Sequence, residues 1–168
     1  MYYQNYFLRG TTSQDISILL TLIIEVVRHE AITELTFDYL KVIAQDQRDE
    51  KLLQSMLEDE REHFNELKKI YFSLTGKKAE GDPPQFEIPE SYIAGIEGLY
   101  FQKLEILSIY KKMRNLSPYV YIRELVADFI HDELRHLTML NHILINNCLK
   151  DRTFALYPSP IYQHDLFS

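Results

Sequence analysis

Cysteine is almost missing. Cys148 is the single one among 168 residues, which excludes an intramolecular disulfide and any Cys-x-x-Cys metal module. Such usage fits a reducing, cytoplasmic setting. Positive charge is also in short supply: 18 Lys and Arg face 25 Asp and Glu, for a net charge of −7 and a pI near 5.4. The basic residues are scattered rather than pooled, so neither nucleic acid nor an anionic membrane surface is expected as a partner. Long hydrophobic runs are lacking too. The apolar stretch from Ile16 to Val27 covers 12 residues and is broken by Ser17, Thr21 and Glu25, too short to span a bilayer. The opening MYYQNYFLRG holds no apolar core of signal-peptide length. Glycine and proline number five and six, and five of these eleven breakers (Gly76, Gly81, Pro83, Pro84 and Pro89) crowd into residues 75–89.

What is present is apolar and helical in pattern. Apolar residues make up 46% and aromatics 12%, enough for one domain with a substantial core. Across residues 12–44, Ile16, Leu19, Leu20, Ile23, Val27, Ala31 and Phe37 follow a three-four spacing without Gly or Pro, which predicts one long amphipathic helix. The polar link 45–50 precedes a second stripe, Leu52, Leu53, Met56, Leu57, Phe64, Leu67 and Ile70. The breaker-rich segment 75–89 is a connection whose extended length, about 50 Å, matches a bundle of helices about 45 Å long. A third helix is expected over 91–115, with Ile93, Ile96, Tyr100, Leu107 and Tyr110 inward. Ser117 reads as an N-cap with Pro118 at the first position of a fourth helix carrying Ile122, Leu125, Val126, Phe129, Ile130, Leu137, Leu140 and Ile143. Two short-looped hairpins joined by a long crossover predict an all-α, ferritin-like four-helix bundle over residues 1–149, the alternative being an up-down bundle with a loose loop. The tail 150–168, with Phe154, Tyr157, Tyr162 and Phe167, is expected to pack on the bundle or on a neighbouring subunit, and a homodimer is the expected assembly.

The chain also repeats itself. Glu60-x-x-His63 and Glu133-x-x-His136 lie 73 residues apart, and at the same offset Asp59 maps to Asp132, Phe37 to Tyr110, Ile23 to Ile96, Met56 to Phe129 and Leu67 to Leu140. A lone Glu-x-x-His is weak, whereas two in matched contexts mark a duplicated helical hairpin. Both motifs interrupt their helices' apolar stripes, and Glu30 falls between Val27 and Phe37 in the first helix. Charges there must be paired, neutralised or bound to metal. Glu30, Glu60, His63, Glu133 and His136 are therefore the expected metal ligands, since carboxylates bridge while each imidazole three residues on caps from the same helix. The alternative is an inward polar layer held by hydrogen bonds and ion pairs without metal.

These stretches resemble the rubrerythrin-like branch of the ferritin-like superfamily. EAITELTF (Glu30 to Phe37) is similar to that family's first-helix motif, LEDEREHFNEL (Leu57 to Leu67) to its second and ADFIHDELRHLTML (Ala127 to Leu140) to its fourth, over about residues 12 to 149. The resemblance implies a non-haem di-iron oxidoreductase reacting with peroxide or dioxygen, or an iron-handling protein, with one or two irons or other divalent ions. Without a Cys-x-x-Cys module such a peroxidase needs a separate redox partner. The departure lies at Lys103, 73 residues past Glu30, where the family's fourth carboxylate is expected. Either the ammonium stands in for a second ion, or Lys103 reaches outward and Glu97 or Glu105 bends in. In the second class of reading, the protein is a non-catalytic helical scaffold with a degenerate metal site. Glu34 is a reserve ligand or hydrogen-bonding neighbour, Tyr39 and Tyr110 are either redox or hydrogen-bonding phenols near the site or, more simply in a chain with 12 tyrosines, ordinary packing residues, and the acids around 58–62 other than Glu60 form a solvated face.

Overall fold

The computed structural model describes residues 12–81, 83 and 85–156, the side chains of 150–156 excepted. It contains five helical segments: α1 (Ser13–Arg28), α2 (Glu30–Ile43), α3 (Gln47–Thr75), α4 (Tyr92–Leu116) and α5 (Val120–Leu156), with no strand among the described residues. α1 and α2 occupy the place of the single first helix read from the sequence. His29 interrupts it: its N–H bonds back three residues to the Val26 carbonyl (3.1 Å), a tightened turn, before the four-residue pattern resumes from Thr33 to His29 (2.9 Å). Thr12 opens α1 with a capping box shared with Asp15. Asp46 caps α3 by accepting from the Arg48 N–H, so that helix begins at the third residue of the expected polar link. Gly76 closes α3 in the left-handed conformation (φ 68°), which a side chain would strain.

Two further boundaries differ from expectation. Ser117 ends α4 instead of starting α5. Its hydroxyl accepts from the Tyr119 N–H (3.2 Å), and Arg123 holds the Ser117 carbonyl (3.1 Å), so the turn is complete before Val120. α5 runs on to Leu156 because no Gly or Pro intervenes before Pro158. The aromatic side chains expected to pack from the tail, Phe154, Tyr157, Tyr162 and Phe167, lie outside the described residues.

Neighbour relations define the topology. The first helix (α1 with α2) touches α3 and α4, and α5 touches α3 and α4, while α3 and α4 lie on one diagonal and the first helix and α5 on the other. One apolar cluster joins Ile23, Val27, Leu67, Ile70, Tyr110, Met113, Ile122 and Val126. The other joins Phe37, Leu40, Leu53, Met56, Ile96, Leu99, Leu140 and Ile143. The N-terminal halves of α3 and α4 thus share one end of the bundle, the two helices run parallel, and the connection between them must travel its full length. Along the way Ala79 joins the first cluster and Phe86 meets Tyr39 edge to face at 5.7 Å. A parallel diagonal pair joined by a long crossover is the ferritin-like arrangement. At the second cluster's end, buried Asp49 accepts hydrogen bonds from Tyr92 Oη (3.3 Å) and Asn147 Nδ2 (3.0 Å), tying three helices together.

The two glycines of α4 do opposite things. At Gly95 a Cβ would stand 2.5 Å from Leu40 Cδ2 and 3.2 Å from Pro89 Cγ, so this glycine lets the helix approach its neighbours. At Gly98 a Cβ meets nothing within 4 Å. Gly98→Ala is expected to stabilise the protein by about 0.5–1 kcal/mol. Gly95→Ala is expected to cost about 1–3 kcal/mol through overpacking. Urea midpoints of the two variants check both signs, and a stabilised Gly95→Ala would show that Leu40 yields freely.

Candidate metal centre

Between the two apolar clusters lies a polar layer. On α3 it is Glu60 and His63, on α4 Lys103, on α5 Glu133 and His136, and all five residues are at most 2% exposed. On each of these helices the charged residues separate the segment feeding one cluster from the segment feeding the other, as the interrupted stripes of the sequence suggest. α2 contributes buried Thr33 at this level, whose hydroxyl accepts from Gln102 Nε2 (2.9 Å).

Four of the five residues read as ligands come together. His63 Nδ1 stands 3.9 Å from Glu60 Oε1 and 3.8 Å from Glu133 Oε1. His136 Nδ1 stands 3.3 Å from Glu60 Oε1 and 3.8 Å from Glu133 Oε2. Glu60, His63 and Glu133 each offer an atom within 4.8 Å of the others, close enough to hold one ion. Glu30 is not in this group. It follows the His29 interruption at the start of α2, is 22% exposed, and its carboxylate is taken up by Lys68 of α3 (Nζ to Oε1 2.6 Å). Glu34 likewise turns to Arg61 (3.3 Å) on the surface.

Lys103 points inward. Its Nζ is 2.6 Å from Glu60 Oε1, 3.7 Å from Glu133 Oε1 and 5.5 Å above the Phe37 ring. Glu97 and Glu105 are exposed, so neither bends in to replace it.

Both imidazoles are oriented from behind by the opposite hairpin. His63 Nε2 lies 3.2 Å from Asp132 Oδ2, and His136 Nε2 lies 2.9 Å from Asp59 Oδ2. Arg135 joins the two acids, at 2.6 Å from Asp59 and 3.0 Å from Asp132. Sequence reasoning assigned Asp59 to a solvated face and gave Asp132 no role. The signal was available, because Asp-Glu-x-x-His recurs in both hairpins at the 73-residue offset. Periodicity along one helix does not reveal a bond across to another.

Protonation follows from burial and charge. Burial holds His63 below the usual imidazole range despite the carboxylates around it. A neutral ring that gives its Nε2 proton to Asp132 turns the Nδ1 lone pair toward Glu60 and Glu133. For His136 burial is outweighed by Glu133 and Glu60, which raise it to about 9. Burial would raise Glu60 as well, but Lys103 and the imidazoles hold it well below the carboxylate range. Glu133 is pushed up to about 7 by burial, against the pull of Lys103. Burial alone would lower Lys103, yet Glu60 and Glu133 override it and keep the ammonium charged.

The donor set fits a cation. Glu60 Oε1 is held by the Lys103 ammonium (2.6 Å), whereas His63 Nδ1 and both Glu133 oxygens are buried without a hydrogen bond, and the Nε2 atoms of both rings are already engaged. Buried polar atoms left without hydrogen bonds call for an explanation, and a shared ion satisfies them together. Tyr110 Oη is also buried without a hydrogen bond, its ring 6.0 Å from and nearly perpendicular to that of His63. Tyr39, by contrast, packs on Phe86 away from the layer.

Among solved structures, the chain is similar to one described as ferritin-like, diiron-carboxylate proteins from Bacillus anthracis str. Ames. The TM-score is 0.68 at 19% identity, covering 79% of this chain and 99% of that one. No protein-family model and no curated protein matches the sequence. Fold and topology together define a ferritin-like four-helix bundle. No helix among the described residues is long and apolar enough to cross a membrane.

Proposed function

We propose that this protein is a ferritin-like metalloprotein of rubrerythrin-like type, an iron-dependent oxidoreductase or iron handler reacting with peroxide or dioxygen. The observation that carries the reading is the buried group Glu60, His63 and Glu133, close enough to share one ion, in which His63 Nδ1 and both Glu133 oxygens make no hydrogen bond, with His136 facing the same carboxylates. Iron held there would supply a redox-active Lewis acid. The chain's own residues do the rest. Asp132 and Asp59 fix the rings, the apolar clusters on both sides keep bulk water out, and Lys103 counters carboxylate charge. Electrons would come from a separate redox partner.

The test is peroxide consumption by ferrous-loaded, desalted protein with a chemical reductant. We expect metal-dependent turnover that Glu133→Gln abolishes. Turnover no faster than that of the same iron free in buffer would remove the oxidoreductase reading. Lys103 favours a second reading, a helical scaffold whose polar layer is neutralised internally: ammonium and imidazolium already face the two carboxylates. On that reading ferrous iron is not retained through desalting.

A further inference from the structure

We infer that the Lys103 ammonium is a resident cation of the polar layer and limits the centre to one metal ion per chain; the inference rests on the metal-binding reading above. Three observations carry it. First, Lys103 is 1% exposed and contacts Glu60 Oε1 at 2.6 Å and Glu133 Oε1 at 3.7 Å, the same two oxygens that face His63 Nδ1. Ammonium and metal ion thus compete for shared carboxylate atoms. Second, no further carboxylate is placed to help. Glu30 is engaged by Lys68, and Glu97 and Glu105 are on the surface.

Third, the charges leave room for one ion. With both imidazoles neutral as ligands, two carboxylates against one ammonium leave a single net negative charge in the layer. One divalent ion changes that to a single positive charge, which the nearby acids Asp59 and Asp132, partly offset by Arg135, compensate. Two divalent ions would leave three net positive charges in a dry layer, and uncompensated charge is what a buried site tolerates least. Lys103 is kept from solvent, 1% exposed, with its ammonium over the Phe37 ring on a helix packed on both sides.

The experiment is an anaerobic titration of apoprotein with ferrous ion, followed by calorimetry and by elemental analysis after desalting, for the wild type, Lys103→Glu and Lys103→Met. We expect one iron per chain in the wild type and two in Lys103→Glu. Lys103→Met should hold one, about tenfold or more tighter, since a like charge is gone from beside the ion. The methionine variant keeps an apolar side chain of similar length, so it reports on the ammonium even if a third buried carboxylate prevents Lys103→Glu from folding. Two irons in the wild type would overturn the inference and leave the proposed function intact. A single iron in folded Lys103→Glu, or a Lys103→Met affinity no tighter than wild type, would overturn the role given to Lys103. Iron bound by the variants but not by the wild type would overturn the single-ion site, and iron bound by none of the three would sink the metal-binding reading as well.

Discussion

Glu60→Met in the metal-free protein is expected to lower stability by about 3 kcal/mol, the lower end of what breaking a buried ion pair costs. The methionine takes away the carboxylate 2.6 Å from the Lys103 ammonium and leaves Glu133, 3.7 Å away, as its remaining counter-charge. That residual partner is why the loss stays at the lower end. For a domain of this size it corresponds to a fall in Tm of about 6–12 °C. Glu60→Met combined with Lys103→Met should recover most of the loss, because replacing both members of a buried pair by apolar groups of similar volume is close to neutral. Thermal melts of the wild type, both single variants and the double variant form a complete cycle. Glu60→Met within 1 kcal/mol of wild type would mean that Lys103 is not both charged and dry in the folded protein.

Periodicity made the architecture legible. Apolar stripes at three-four spacing, a single cluster of breakers and the 73-residue repeat sufficed for four helices, two hairpins and a full-length crossover. The inward phase of Glu60, His63, Glu133 and His136 was legible for the same reason, since each interrupts an otherwise apolar face. The repeat brought Lys103 to the register of Glu30 but left open whether its side chain turns inward or reaches out. Pairings between helices were not legible. Glu30 has the phase of Phe37, yet Lys68 from α3 captures its carboxylate, and nothing within the first helix reports that. Asp59 and Asp132 were visible as repeated residues, but their bonds to His136 and His63 connect opposite hairpins. The His29 interruption lacks a Gly or Pro to announce it, and residues before and after it keep a common apolar face.

The repeat also explains why the layer is lopsided. Two hairpins related by duplication would present two equivalent half-sites, each with a carboxylate from its first helix and a Glu-x-x-His from its second. The second halves have stayed alike, down to the acid that holds the other hairpin's imidazole. The first halves differ: Glu30 faces outward to Lys68, and its counterpart Lys103 faces inward to Glu60. The inner layer therefore holds two carboxylates and one ammonium where a symmetric duplication would hold four carboxylates.

Asp132→Ala is expected to weaken ferrous binding about 10- to 100-fold, the usual consequence of removing the group that orients a metal-bound imidazole. Asp132 accepts from His63 Nε2 at 3.2 Å, and without it the ring is free to turn its Nδ1 lone pair away from Glu60 and Glu133. The same substitution leaves the buried His63 Nε2–H without its acceptor, so folding stability should fall by about 1–3 kcal/mol, while the loss of one of two acids on Arg135, 46% exposed, adds little. Asp59→Ala provides the comparison, since it releases His136 in the same way. The close three-residue group contains His63 and not His136, so the affinity loss should be larger for Asp132→Ala. Ferrous titrations of both variants, with urea melts as the control for folding, measure the difference. Equal losses would place the ion midway between the two imidazoles, and a larger loss in Asp59→Ala would move it to the His136 side of the layer.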